Sequence, residues 1–177
     1  PRLSALVVDR EGVVRDAAAH WRGKEEERLL ERVSFRPGDV FGDLPVATSA
    51  RDVYLLSAVL HGFDDDACAR ALRNVASAAS GAGAAVVLME MVMDERPDPV
   101  GASMDMQMFM GTRGRERTRS EWRSLFERSG LVLAEEIGLR SFVSLQLLKP
   151  AGGAGPERPS ATKALTDGGS RSGERSG

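Results

Sequence analysis

The chain has 177 residues, 42% of them hydrophobic and 28% charged, with 24 basic against 26 acidic side chains and a formal net charge of -2. That length is enough for one domain with a packed core, and the near-cancelling charge argues against nucleic acid as the main partner, because phosphate binding shows as a basic surplus. The one cysteine, Cys68, excludes an internal disulfide and a cysteine metal cluster and fits a reducing cytoplasm; no apolar run is long enough to span a bilayer, and no signal peptide opens the chain.

The chain starts at Pro1 without an initiator Met and runs almost at once into the apolar run Leu3 to Val8, which ends in Asp9 and reads as a buried strand. That start looks like a fragment boundary. Val13, Val14, Ala17, Ala18 and Trp21 recur at helical spacing, so a helix follows. Val33 to Phe35 reads as a second short strand, stopped by the turn Pro37-Gly38-Asp39, and Asp52 to Leu56, continuing to Leu60, is a third apolar run. Asp64, Asp65 and Asp66 put carboxylates where a helix N-terminus favours them. Cys68, Ala71, Leu72, Val75 and Ala79 form that helix's buried stripe, and Gly81 and Gly83 end it. Ala84 to Met89 is the strongest strand, apolar on both faces. Thr118-Arg119-Ser120-Glu121 is a capping box opening a helix with Trp122, Leu125 and Phe126 inward and Gly130 as its stop. Leu131 to Ile137 and Phe142 to Leu148 read as two closing strands. From Ala151 the chain is rich in Gly, Ser, Pro, Arg and Glu and is expected to be a disordered tail, which leaves residues 1–150 as the folded domain.

Strands alternating with helices imply βαβ units and a mostly parallel sheet, with continuous apolar runs covered on both faces. The last two strands are joined too tightly for a crossover, so that pair is expected to be antiparallel. In such sheets ligands bind beyond the carboxyl ends of the strands. The polar residues closing the strands are Asp9, Asp39, His61 and Glu90, which converge on one rim. Glu90 is anomalous, an acid in Val-Val-Leu-Met-Glu-Met-Val-Met, where burial of a carboxylate demands a partner; the alternative is that it marks the strand's exit into solvent. His61 reads either as a satisfied loop histidine or as a general base, a role for which imidazole is the usual side chain. Asp9 would bind ribose hydroxyls or cap the next helix, and Asp39 would serve as a turn residue. All seven methionines fall at Met89, Met91, Met93, Met104, Met106, Met108 and Met110, either as flexible core filler or as an adaptable apolar wall for a flat aromatic molecule.

Four blocks resemble one family. Asp52-Val53-Tyr54-Leu55-Leu56 with Val59-Leu60-His61-Gly62-Phe63-Asp64-Asp65-Asp66 resembles the DVYLL…VLHDWDDE block of plant and bacterial small-molecule O-methyltransferases. Gly114-Arg115-Glu116-Arg117-Thr118 with Glu121-Trp122 is similar to its GxERTxxEW block, and Gly38-Asp39-Val40-Phe41 to its GDFF turn. Pro1 to Arg10 resembles the segment just after the glycine-rich loop. The blocks stand in family order over roughly Pro1 to Pro150. The resemblance implies a Rossmann-like class I methyltransferase α/β sheet, mostly parallel with an antiparallel closing strand and incomplete at its N-terminus. The glycine-rich loop, first strand and N-terminal dimerisation domain would then lie upstream.

The resemblance implies S-adenosylmethionine as cofactor, a small-molecule hydroxyl as methyl acceptor, no metal, and a cytoplasmic parent that forms a homodimer. Asp9 would bind the cofactor's ribose, Asp39 and Val40 its adenine, and Ser57 stands where many members carry Lys or Arg near the cofactor. His61 would be the general base, with Glu90 and Glu116 flanking it. Gly62, where the family has Asp, and Phe63, where it has Trp, would line the acceptor with Met104 and Met108. A non-methylating relative that hydroxylates or decarboxylates, or an inactive fragment, is the alternative.

Overall fold

A computed structural model of the chain describes residues 3–22 and 27–152. The tail expected beyond Ala151 falls, from residue 153 onward, outside the described residues. The elements in chain order are β1 (Ala5–Asp9), α1 (Glu11–Trp21), a short 3₁₀ stretch (Glu27–Glu31), β2 (Val33–Pro37), β3 (Val53–Ser57), a single 3₁₀ turn (Leu60–Gly62), α2 (Asp65–Ser80), β4 (Ala85–Met93), α3 (Pro99–Thr112), β5 (Arg117–Thr118), α4 (Arg119–Arg128), β6 (Leu131–Gly138) and β7 (Val143–Pro150). Among the described residues no helix is long and apolar enough to cross a membrane.

The strands form two sheets. β1 pairs with β2 in parallel, and a second sheet runs β3-β4-β7-β6, with β5 paired to β4 beyond the end of β3. β3 and β4 are parallel; β7 is antiparallel to both β4 and β6, so the closing pair has the expected direction. Among the described residues β1 pairs only with β2, and β3 only with β4, leaving one edge of each open.

The core lies on one face of the larger sheet. Tyr54 and Leu56 of β3, Val86 and Leu88 of β4 and Leu148 of β7 pack against the α2 stripe of Cys68, Ala71, Leu72, Val75 and Ala79 and against Trp122, Leu125 and Phe126 of α4. The Trp122 and Phe126 rings stack at 5.9 Å between centroids. Caps set both helices in place: the Asp64 carboxylate accepts from Ala67 N at 2.8 Å, and Thr118 and Glu121 form the reciprocal capping box.

Three expectations need correction. The Leu3–Val8 run is no buried strand, since Leu6 and Val7 are exposed among the described residues. The apolar strands are likewise not covered on both faces: β3 alternates, with Leu56 buried and Leu55 62% exposed, because α2 and α4 both lie on the Leu56 side. Finally, β4 runs on to Met93 rather than stopping near Glu90, because β5 and β7 give it hydrogen-bonding partners past the end of β3. Helix α3 was not anticipated. Its methionines, spaced by two, hide a helical period, and the signal available was Asp98-Pro99, an N-cap followed by proline at the first helical position; the Asp98 carboxylate accepts from Gly101 N at 2.7 Å.

Candidate active site

Asp9, Asp39 and His61 stand at or just past the carboxyl ends of parallel strands, whereas Glu90 lies within β4, three residues before its end. Asp9 closes β1 and lies opposite Pro37 in β2, and Gly38 N donates to Asp9 O at 2.9 Å, so Asp9 and Asp39 share one end of the small sheet. A Cβ on Gly38 would sit 2.6 Å from the Val8 side chain, which explains the glycine in this turn. Asp9 is exposed, with one carboxylate oxygen accepting from Arg10 N. The Asp39 carboxylate accepts from Phe41 N at 2.9 Å, an Asx turn, while half-buried Val40 packs toward the core. Exposed Ser57 ends β3 opposite Met89.

His61 sits in the 3₁₀ turn directly after β3. The chain enters that turn through Ala58, whose φ of 52° is unusual for a residue with a side chain and is held by its N–H bond to Met89 O at 3.0 Å. Glu90 is 1% exposed and stands on the neighbouring strand just past the end of β3. Its Oε1 accepts from Val59 N and Leu60 N, both at 2.8 Å, satisfying the first donors of the turn. Its Oε2 lies 3.1 Å from His61 Nδ1, and Glu116 Oε1 lies 3.6 Å from the same nitrogen. The anomalous acid of the strand is therefore buried and partnered rather than exiting into solvent.

Burial pushes the Glu116 carboxyl above the usual carboxylate range; His61 opposes that shift and Glu90 adds to it. Between the ordinary Glu pKa and this raised one the native state holds a proton that the unfolded state has released. The stability of the fold therefore falls as pH rises through that window. Glu116→Gln removes the linkage. It is expected to raise Tm relative to wild type at about pH 8 and to leave it unchanged at about pH 4; equal shifts at both pH values in thermal unfolding would assign the effect to packing.

Helix α3 packs against the 60–62 turn. Met104 and Met108 are half-buried, whereas Met106 and Met110 are exposed. Asp105, on the same helix, accepts from Glu116 N at 2.9 Å and ties α3 to the Glu116 segment. A Cβ on Gly62 would meet nothing within 4 Å, whereas Phe63 meets Phe41 edge to face at 5.2 Å. Phe63 thus packs against Phe41 of the turn after β2, and Gly62 lies in the His61 turn itself, against which α3, the helix carrying Met104 and Met108, packs. Among the described residues no group of three His, Cys, Asp or Glu is arranged to hold a metal ion.

Sequence reasoning missed two residues here. Gly114 abuts the His61 turn, where an added Cβ would fall 1.9 Å from His61 O. Arg117 is wholly buried and donates to carbonyls on both sides of His61. Both lie in the block that supplies Glu116, and that block was the only signal available for them.

A family model described as the O-methyltransferase domain matches residues 1–132. The chain belongs to the O-methyltransferase domain family. A mitomycin biosynthesis 6-O-methyltransferase of Streptomyces lavendulae is 33% identical over 131 residues, which is 74% of this chain and 36% of that protein. The acetylserotonin O-methyltransferase of Bos taurus is 35% identical over 132 residues, 73% of this chain and 36% of its own. A solved O-methyltransferase from neocarzinostatin biosynthesis, in complex with S-adenosylmethionine and 2-hydroxy-5-methyl naphthoic acid, superposes with a TM-score of 0.70 at 30% identity, over 84% of this chain and 42% of that one. This O-methyltransferase domain thus has the Rossmann-like fold of class I methyltransferases, as its sequence resemblance implies, and spans well under half the length of the relatives it matches.

Proposed function

We propose that this chain forms part of an S-adenosylmethionine-dependent O-methyltransferase acting on a phenolic or enolic hydroxyl of a small secondary metabolite. The observation that carries this reading is His61, with Nδ1 set against Glu90 at 3.1 Å and Glu116 at 3.6 Å. With Nδ1 facing two carboxylates, Nε2 is the nitrogen left to take a proton. His61 removes the acceptor's hydroxyl proton at Nε2, and the imidazolium that forms is stabilised by the carboxylates. Retention of all three residues supports methylation over the hydroxylating or decarboxylating alternative.

Asp9 fits a ribose. Its carboxylate is exposed at the carboxyl end of a parallel strand and has acceptor capacity left beyond its bond to Arg10 N. Asp39 and Val40, on the adjoining turn, would lie against the adenine, and Ser57 near the cofactor. When bound, S-adenosylmethionine supplies a methyl group made electrophilic by its sulfonium. The protein's own contribution is then proximity and the base. Gly62, Phe63, Met104 and Met108 would line the acceptor, Phe63 with its ring edge to face against Phe41. Residues 1–150 are taken as one catalytic domain of a cytoplasmic homodimer; the single cysteine and the exposed apolar side of α3 at Met106, Phe109 and Met110 support those assignments.

The test is a screen of the full-length protein with methyl-labelled S-adenosylmethionine against a panel of phenolic and enolic acceptors. Label appearing on a hydroxyl oxygen supports the reading, and label on none of them counts against it. Asp9→Ala is expected to weaken S-adenosylmethionine binding by about 1–3 kcal/mol, the scale of hydrogen bonds lost from a charged acceptor. Calorimetric titration giving wild-type affinity would remove Asp9 from the site.

A further inference from the structure

We propose that Arg117 is a positioning residue for His61, holding the turn that carries the imidazole; the inference rests on the reading of His61 as the base. Arg117 has 0% of its surface exposed, and a buried guanidinium is costly unless its donors are all met. Its donors go to the His61 turn and its flanks. Nη1 donates to Leu60 O at 3.2 Å and to Arg115 O at 3.3 Å, Nη2 donates to Phe63 O at 2.7 Å, and Nε donates to Asp65 Oδ1 at 2.9 Å. The guanidinium also lies over the Trp122 ring, 5.3 Å from its centroid. Leu60 and Phe63 bracket His61 and Gly62, so one rigid planar fork spans the whole turn.

The turn needs such a clamp. It is a single 3₁₀ turn, and its own closing bonds, Gly62 N to Val59 O and Phe63 N to Leu60 O, are long at 3.3 and 3.2 Å. The stronger bonds come from outside. Glu90 takes the donors Val59 N and Leu60 N at one end, and Arg117 supplies donors to the acceptors Leu60 O and Phe63 O at the other. The two clamps are in register with each other: β5 pairs with β4 at Arg117 opposite Val92, two residues along the strand from Glu90. The imidazole is thus set against Glu90 Oε2 by a backbone whose position depends on Glu90 Oε1 and on the Arg117 fork. Lysine at 117 keeps the charge but, as a point donor on a flexible stem, does not reproduce the two-carbonyl span.

The test is a double-mutant cycle in the full-length protein, with the acceptor that turns over fastest in the labelled-methyl screen. Arg117→Lys is expected to lower kcat about tenfold, as a small misplacement of a reacting group does, while KM for the acceptor and affinity for S-adenosylmethionine stay within about twofold. In a His61→Ala background the same substitution is expected to cost nothing further, because a residue acting through His61 has no effect once it is gone. Equal losses in both backgrounds overturn the proposal. A second readout needs no acceptor: ¹⁵N imidazole spectra, with His61 assigned by His61→Ala, are expected to show one ordered tautomer in wild type and a mixture in Arg117→Lys. If His61→Ala alone leaves turnover intact, the base reading fails by itself, and the imidazole spectrum of Arg117→Lys still decides whether Arg117 holds the ring. Asp65→Asn loosens the same guanidinium from its half-exposed side and is expected to give a smaller loss of the same kind. An unfolded Arg117→Lys together with a wild-type Asp65→Asn spectrum and turnover also overturns the proposal.

Discussion

His61→Ala in the full-length protein is expected to lower turnover on the order of a hundredfold or more, the usual loss when a positioned general base is removed. A hundredfold corresponds to about 2.7 kcal/mol of barrier. The loss should fall on kcat, because His61 lies at the end of β3 beside Glu90 and Glu116, while the residues fitted to the cofactor lie largely on the β1–β2 end. Affinity for S-adenosylmethionine is therefore expected to stay at the wild-type value in calorimetric titration. Wild-type turnover at neutral pH would show that no proton passes through this imidazole. A parallel loss of cofactor affinity would instead place His61 in the cofactor's pocket.

Much of this was legible in the residues, and the limits have physical causes. The capping residues Asp64 and Thr118 and the stripe from Cys68 to Ala79 are local signals, and the helices start and face where those signals put them. Glu90 was conspicuous because a carboxylate in an apolar strand requires a partner, and the structure supplies two backbone donors to Oε1 and sets the His61 imidazole 3.1 Å from Oε2. Strand cover was misjudged because an apolar run states only that burial is favourable, not which faces of the sheet meet a helix; Leu55 and Leu56 are adjacent in sequence, yet only Leu56 is buried. Helix α3 was hidden by methionines two apart, which imitate a strand, while its mixed exposure shows that its periodicity carries little information. Arg117 was invisible because a basic residue within Arg-Glu-Arg-Thr-Arg reads as solvated charge, and only the tertiary fold reveals the carbonyls it meets.

Gly114 belongs with the residues whose reason is entirely tertiary, and its substitution carries the second large expected effect. Gly114→Ala puts a Cβ 1.9 Å from His61 O and 2.8 Å from Gly62 Cα. Neither obstacle is a flexible side chain, so backbone must move. The carbonyl in question already accepts from Arg115 N at 2.9 Å, one residue along from the glycine, so the two segments cannot separate without breaking that bond. Relieving the overlap needs a shift of about 1 Å or more, and a displacement of that size at a reacting group costs on the order of a hundredfold in rate. Overpacking of this kind also destabilises by about 1–3 kcal/mol, so thermal unfolding should show a lowered Tm alongside the lost turnover. The rate loss is expected to exceed what the unfolded fraction explains, because the shift is transmitted directly to His61, the residue proposed as the base. Rates normalised to the folded population that match wild type would show instead that the His61 turn yields at no cost to catalysis, and that the close approach of Gly114 serves packing alone.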